Sequence, residues 1–194
     1  EAMKPVLGYE PTTGQKFLPE IAEQSEFGIK FAAFGNRLTG SVSAFEIIRT
    51  NIKETDFVRF ITVQNKEATA VGWEIDTHFQ VTDGFQFLAG YSNLDQEISA
   101  SIASTYSAGS ELVTTSTVGD AVQNLPDTTA YLWAKWSILD GPLQGFSAAI
   151  GGNYIGERFI EADRSRTLPS YTVMDAMLQY RFQGDMEGWK IQMN

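Results

Sequence analysis

Apolar side chains alternate with small or polar ones along two stretches near the end of the chain. The apolar positions of the first stretch are Phe146, Ala148, Ile150, Gly152 and Tyr154, and those of the second are Met174, Ala176, Leu178, Tyr180 and Phe182. Because successive side chains of a strand point to opposite faces, each stretch predicts a β-strand with one apolar face. Such strands suit a soluble sandwich, and they also suit a barrel that stands in lipid around a wet lumen.

The same alternation predicts six further strands, and no stretch shows a helical period. These strands lie at about 26–31, 38–50, 71–79, 85–92 and 128–139, with a last one beginning near residue 189. Residues 1–25 are interrupted by proline and glycine and are expected to be irregular. The pattern therefore predicts an all-β chain of about eight strands.

The connections between these strands alternate in length. Short turns are expected at 35–36, 83–84, 140–145 and 184–188, and longer polar connections at 51–59, 95–127 and 157–169. Outer-membrane barrels combine short periplasmic turns with longer extracellular loops, and their strands need about ten tilted residues to cross a bilayer. The pattern favours an antiparallel up-and-down transmembrane β-barrel. Aromatic residues near strand ends are then expected to form an interfacial girdle, namely Tyr91, Tyr131, Trp133 and Tyr154.

Composition narrows the classes of function. The 194 residues carry a net charge of −10, which argues against binding of nucleic acid. The chain has no cysteine, so it can form neither a disulfide framework nor a thiolate metal site. The chain contains no run of about 18 apolar residues, so the sequence predicts no transmembrane helix.

Catalytic chemistry has little support in the sequence. The single histidine, His78, shares a strand face with Glu74 and Asp76, which leaves a metal site open, but a hydrogen-bonded lumen wall is favoured. A nucleophilic serine would need this same histidine as its base. We therefore expect neither catalytic residues nor a metal site. Gly151 and Gly152 inside a strand indicate a bulge or close approach by another backbone, such as a plug.

Several short motifs are more informative than the strand pattern. Two of them are 154–158 (YIGER) and 168–180 (LPSYTVMDAMLQY). The others are 19–30 (PEIAEQSEFGIK), 38–51 (LTGSVSAFEIIRTN), 71–76 (VGWEID), 90–91 (GY) with 94–95 (LD), and 124–126 (NLP). In this order the motifs resemble the C-terminal part of the barrel of TonB-dependent siderophore receptors, and the first two named are the most specific.

The resemblance implies a barrel of about 22 strands in the Gram-negative outer membrane, in contact with lipid and closed by an N-terminal plug. Such receptors bind a ferric siderophore outside the cell and import it with energy that TonB passes to the plug. They need no cofactor, since the ferric siderophore is the transported ligand. Residues 1–194 would then be a partial TonB-dependent receptor β-barrel domain, with the plug and the last strands absent.

The resemblance also suggests where this chain would contact a ligand. Ligands of the family contact aromatic or basic residues of the lumen near the extracellular loops. Here those positions are Tyr106 in the 95–127 connection and Arg158, Phe159, Arg164 and Arg166 in the 157–169 connection. Cationic and aromatic groups suit an anionic or aromatic siderophore complex. YIGER is equally consistent with a structural motif at a strand end, and the arginines with a solvated ion-pair loop.

Three functions remain in competition at this point. The resemblance favours uptake of a ferric siderophore, of the hydroxamate type, by a protein that is not an enzyme. The alternative is a small eight-stranded outer-membrane protein with a structural or adhesive role. A soluble β-sandwich that binds a partner is the third, although long strands and alternating connections count against it. The sequence does not fix the cargo, since related receptors import cobalamin, nickel or saccharides.

Overall fold

The computed structural model describes residues 14, 16–56, 61–101 and 118–194. The described residues form ten β-strands and one short 3-10 helix, Gly184–Met186. The strands are β1 (Ile21–Ala33), β2 (Leu38–Asp56), β3 (Ile61–Thr82), β4 (Phe85–Ala100), β5 (Thr128–Ser137), β6 (Phe146–Ile155), β7 (Arg158–Phe159), β8 (Thr167–Leu168), β9 (Tyr171–Arg181) and β10 (Lys190–Met193).

Eight of these strands form one antiparallel sheet in the order β1-β2-β3-β4-β5-β6-β9-β10. Each strand pairs with the next one along the chain, and the small hairpin β7–β8 is inserted between β6 and β9. The predicted up-and-down meander is therefore confirmed. Among the described residues β1 pairs only with β2, and β10 pairs only with β9. These two edge strands do not pair with each other, so the described sheet is not closed. No helix in these ranges is long and apolar enough to cross a membrane.

The strands on the β1 side are longer than the sequence pattern indicated. The strands β2, β3 and β4 contain 19, 22 and 16 residues, so most of the predicted 51–59 connection is strand. Likewise β1 begins at Ile21, inside the region expected to be irregular. A register shift near Asn51, whose φ is 60°, breaks the alternation of β2. Beyond it both faces carry polar residues, so hydrophobic periodicity could not reveal that the strands continue.

Cross-strand neighbours divide the sheet into an apolar face and a polar face. One row of the apolar face runs through Ile75, Tyr91, Ala130 and Tyr154 on successive strands. Side chains on this face remain exposed, as shown by Met174 at 65%. The row of the polar face beside it contains serine, carboxylate and glycine positions. The apolar and polar faces predicted for the individual strands are thus aligned into continuous surfaces by the register.

The expected aromatic girdle is wrong for two of its four residues and stays a prediction for the other two. Tyr91 and Tyr154 lie on the apolar face, but Tyr131 and Trp133 lie on the polar face, opposite Gly90 and Gly151. The prediction was wrong for these two because β5 carries large side chains on both faces.

The glycines beneath these rings explain how β5 fits. A Cβ atom on Gly90 would overlap the ring of Tyr131, and one on Gly151 would overlap the ring of Trp133. Gly151 therefore makes room for a side chain of the neighbouring strand, while the approach of a plug stays a prediction. Each ring lies against the sheet where the adjacent strand has no side chain of its own.

Candidate ligand-binding site at the long-connection end

Four of the five predicted ligand residues lie in the hairpin formed by residues 158–168. Arg158 pairs with Leu168, and the N–H of Ile160 donates to the carbonyl of Arg166 at 2.9 Å. Arg158, Phe159, Arg164 and Arg166 are thereby held in one short element. Tyr106 lies outside the described residues. A role in ligand binding stays a prediction for all five.

The turn of this hairpin is fixed by local hydrogen bonds. The N–H of Arg164 donates to the carbonyl of Glu161 at 3.1 Å, and Arg164 has a φ of 61°. The N–H of Ser165 donates to the carboxylate of Asp163 at 3.0 Å. Hydrogen bonds from Ser165 to the charged form lower the pKa of Asp163. These bonds fix the backbone of the turn that carries Arg164 and Arg166.

Each arginine of the hairpin has a different neighbour. The guanidinium of Arg164 lies 5.5 Å from the ring centroid of Phe159, and that of Arg158 lies 5.3 Å from that of Tyr171. Arg166 Nη1 lies 3.6 Å from Glu161 Oε1 in an exposed ion pair. The Nε of Arg158 is buried without a hydrogen-bond partner in the described part of the chain. Arg158 is therefore the hairpin arginine whose buried Nε–H donates no hydrogen bond within the described residues.

Residues 118–127, here called the outer segment, connect the hairpin to the main sheet. The N–H groups of Leu94 and Ile98 on β4 donate to the carbonyls of Asp127 and Asp120, each at 2.8 Å. On its other side, Asn124 donates to the carbonyl of Phe159 at 2.8 Å. Sequence reasoning missed this contact because the segment lies within a long polar connection without periodicity.

The outer segment also covers a small apolar core. Among the described residues the buried apolar side chains are Val63, Ala68, Ile98 and Ala121. Ala68 and Ile98 are neighbours on β3 and β4, and Ala121 comes from the outer segment. An adjoining cavity of about 240 Å³ is bordered by the cations Arg49 and Lys66. This end of the sheet therefore has a second layer, which orders the loops beside the arginine hairpin.

Acidic groups balance the arginines at this end. Burial, with the nearby carboxylates of Asp95 and Glu157, raises the pKa of Asp127, while Arg164 opposes the shift. Repulsion among these carboxylates disfavours the charged form of Asp127. The surface is therefore a mixture of cations and anions with two arginines stacked on aromatic rings.

On the polar face of the sheet, His78 and the two carboxylates beside it have separate partners. His78 Nε2 lies 2.8 Å from Gln86 Oε1, the hydroxyl of Tyr131 donates to Asp76 at 2.6 Å, and the hydroxyl of Ser43 donates to Glu74 at 3.2 Å. The described residues contain no group of three metal-ligating side chains. The hydrogen-bonded wall expected for this face is confirmed.

Comparison with known proteins identifies the class to which this fold belongs. The model of the family "TonB dependent receptor-like, beta-barrel" matches residues 5–194. The chain belongs to this family, whose members are β-barrel proteins of the outer membrane.

Two curated relatives illustrate the similarity in sequence. The ferrichrome outer membrane transporter/phage receptor of Escherichia coli K12 is 27% identical over 168 residues, which cover 86% of this chain and 21% of the relative. The ferrioxamine B receptor of Salmonella typhimurium LT2 is 25% identical over 186 residues, covering 93% and 24%. The chain spans about a fifth to a quarter of the length of these relatives.

Solved structures show the same fold. The ferric preacinetobactin receptor BauA from Acinetobacter baumannii matches with a TM-score of 0.66 and 22% identity over 91% of this chain and 26% of BauA. The siderophore receptor PiuA from the same species matches with a TM-score of 0.64 and 23% identity over 84% and 22%. The sheet of this chain therefore corresponds to part of the wall of such a barrel.

Proposed function

We propose that this chain is part of an outer-membrane receptor that takes up a ferric siderophore with energy supplied by TonB and catalyses no reaction. The observation that carries the proposal is the match of the barrel family model to residues 5–194. The curated relatives described above are named as a transporter and a receptor, which supports transport over an enzymatic role.

We further propose that residues 1–194 form a partial barrel domain, and that other strands and a plug belong to the same receptor. The coverage of about a fifth to a quarter of the relatives supports this. The rival protein, a closed barrel of eight strands, would require β1 to pair with β10. In the described residues β1 and β10 lie at opposite edges of the sheet, which counts against that rival.

For the cargo we propose a ferric hydroxamate. Ferrichrome and ferrioxamine, for which two relatives are named, are chelates of this type. The solved structures of a ferric-catecholate import receptor and of a receptor bound to pyoverdine also match, so the fold alone does not select among chelates. Capture would occur at the long-connection end, followed by closure of the loops and rearrangement of the plug. The arginine hairpin is the proposed contact, because guanidinium groups donate charge-assisted hydrogen bonds to anionic oxygens.

The test is a binding assay on the intact receptor in detergent, with ferrichrome, ferrioxamine B and a ferric catecholate as ligands. Quenching of tryptophan fluorescence reports the affinity of each. We expect saturable binding of at least one hydroxamate, and preference over the catecholate. Binding of the catecholate alone would overturn the hydroxamate assignment, and the absence of binding by any ferric chelate would overturn uptake of siderophores.

Substitution of Arg158 tests the proposed contact. Arg158→Gln should raise the dissociation constant of the bound chelate by roughly tenfold, because one charge-assisted hydrogen bond to the chelate is lost. Arg37→Gln is the matched control, since Arg37 pairs with Asp83 at the other end of the strands. Equal affinities of the two variants would contradict a role for the hairpin.

A further inference from the structure

Three cations gather on the polar face at the short-turn end of the sheet. Lys135 lies on β5, Arg181 on β9 and Lys190 on β10. Arg181 and Lys190 are directly opposite each other in the register. The chain has only 14 lysines and arginines against 24 acidic residues, so such a group is not expected from composition. Among the described residues none of the three has a carboxylate within 4.0 Å.

Two of these cations border the same cavity, which has a volume of about 220 Å³. Lys135 and Arg181 line it together with the hydroxyl groups of Ser137 and Ser147. Ser147 is only 6% exposed, and its hydroxyl donates to that of Ser137 at 2.9 Å. Gln179 adds an amide to the lining. The cavity is therefore lined by donors from three neighbouring strands.

The backbone around the cavity is also specifically shaped. The N–H of Arg181 donates to the carbonyl of Gly145 at 2.9 Å, and Gly145 has a φ of 92°. A Cβ atom on Gly145 would overlap the carbonyl oxygen of Arg181. Glycine at this turn thus lets β6 begin close against β9 and holds Arg181 beside the serine pair.

This arrangement is costly unless an anion is present. Like charges that lie directly opposite each other on paired strands are destabilising. A phosphate or carboxylate in the cavity would accept charge-assisted hydrogen bonds from Lys135 and Arg181, and its negative charge would offset the repulsion between Arg181 and Lys190. The nearest carboxylate along the same face of β9, Asp175, already accepts a hydrogen bond from Asn153 at 3.4 Å.

We propose that the cavity bordered by Lys135 and Arg181 is an oxyanion-binding site that holds a single phosphate or carboxylate group. The group comes either from solution, as inorganic phosphate, or from an acidic side chain elsewhere in the receptor. The site lies at the opposite end of the strands from the arginine hairpin, so it does not depend on the cargo proposed above.

The experiment measures thermal unfolding of the intact receptor in detergent while inorganic phosphate is titrated at constant ionic strength. If the site binds free phosphate, the Tm should rise with phosphate concentration and reach a plateau. Arg181→Gln loses a charged donor, so at least ten times more phosphate should be needed for the same rise in Tm. Arg181→Lys keeps the charge and should retain most of the response. Lys30→Gln, on the polar face of β1, is the control and should respond as the wild type does.

A carboxylate from the receptor itself gives a different pattern. Phosphate then leaves the Tm of the wild type unchanged, while Arg181→Gln and Lys135→Gln lower it and Lys30→Gln does not. The proposal is overturned if phosphate has no effect and both variants unfold at the same temperature as Lys30→Gln. It is also overturned if the phosphate response survives in Arg181→Gln. Should Arg181→Gln fail to fold, Lys135→Gln provides the same comparison.

Discussion

Two regions of the sheet are stabilised in different ways. One is the part with the continuous apolar face, here called the band. The other is the end of β2–β4 that the outer segment covers, here called the extension. In the band, the sheet is a single layer and its apolar side chains remain open, as with Leu132 at 56% exposed. In the extension, the outer segment forms a second layer over Ile98, which is only 2% exposed. The band thus depends on its hydrogen-bond ladder and on lipid, whereas the extension depends on a small apolar core.

This difference separates structural support from ligand recognition. The band contains long, regular strands whose register aligns the faces, which suits a rigid wall. The extension holds the arginine hairpin in place through a few backbone hydrogen bonds and a few buried side chains. Regions with few buried contacts open more easily than the rest of a fold, and binding loops are drawn from such regions. The proposed ligand contacts therefore depend on the small core and the few hydrogen bonds that support the outer segment.

The largest effect is expected from removing the buried core of the extension. Ile98→Ala should lower the cost of opening the outer segment by about 3 kcal/mol, because a buried side chain leaves a cavity. Amide exchange in residues 118–127, followed by mass spectrometry, should then become about a hundredfold faster.

Leu132→Ala in the band is the matched control for this substitution. Its side chain is exposed on the apolar face, so the outer segment should exchange at the wild-type rate. Similar acceleration in both variants would show that the two regions are not independently stabilised.

A smaller effect is expected from adding one methyl group to the polar face of the band. Gly151→Ala should destabilise the protein by about 2 kcal/mol, because the new Cβ overlaps the ring of Trp133. The neighbouring variant Gly152→Ala is the control, since its Cβ would lie 2.8 Å from the flexible sulfur of Met174 on the open face. Thermal unfolding in detergent compares the two. If Gly152→Ala lowered the Tm as much as Gly151→Ala, overlap with the Trp133 ring would not explain the destabilisation.

The smallest effect is a dependence of stability on pH in the extension. A carboxyl group whose pKa is raised on folding binds its proton more tightly in the folded state, so stability falls as the pH rises above 3.8, its ordinary value. Asp127→Asn should therefore raise the Tm slightly at pH 7 and flatten its decline between pH 4 and 7.

Asp163→Asn provides a comparison of opposite sign. The pKa of Asp163 is lowered by hydrogen bonds from Ser165, so its contribution is present above the ordinary value and is lost as the pH falls. This variant should lower the Tm slightly at pH 7. A lower Tm at pH 7 in both variants would indicate that the charged form of Asp127 stabilises the fold, which would contradict the prediction.

The strand arrangement was predictable because the apolar face imposes a strict period of two. Positions such as Ile150 and Leu178 identified their strands, and the glycine and asparagine turns separated them. The same reasoning underestimated β2 and β3, since the strand residues beyond Asn51 are polar on both faces apart from a few apolar positions such as Val63. It also placed Tyr131 and Trp133 on the wrong face, because two aromatic residues two positions apart give no indication of which side is open.

The candidate site was predicted in part. Arg158, Phe159, Arg164 and Arg166 were selected through the resemblance to a family, and the structure brings them into one hairpin. Their neighbours were not predictable, since the outer segment reaches the hairpin from more than thirty positions away along the chain, as in the bond from Asn124 to Phe159. No local pattern encodes such a contact.

The sequence by itself determined the all-β class, the meander and the two faces, because alternation and turn chemistry act between residues close in the chain. Only the tertiary structure decided where β2–β4 end, which rings lie over Gly90 and Gly151, and how the outer segment joins the arginine hairpin. It also brought Lys135 and Arg181 to one cavity. These features depend on register and on contacts between distant segments, and pairing fixes them only once the whole sheet has formed.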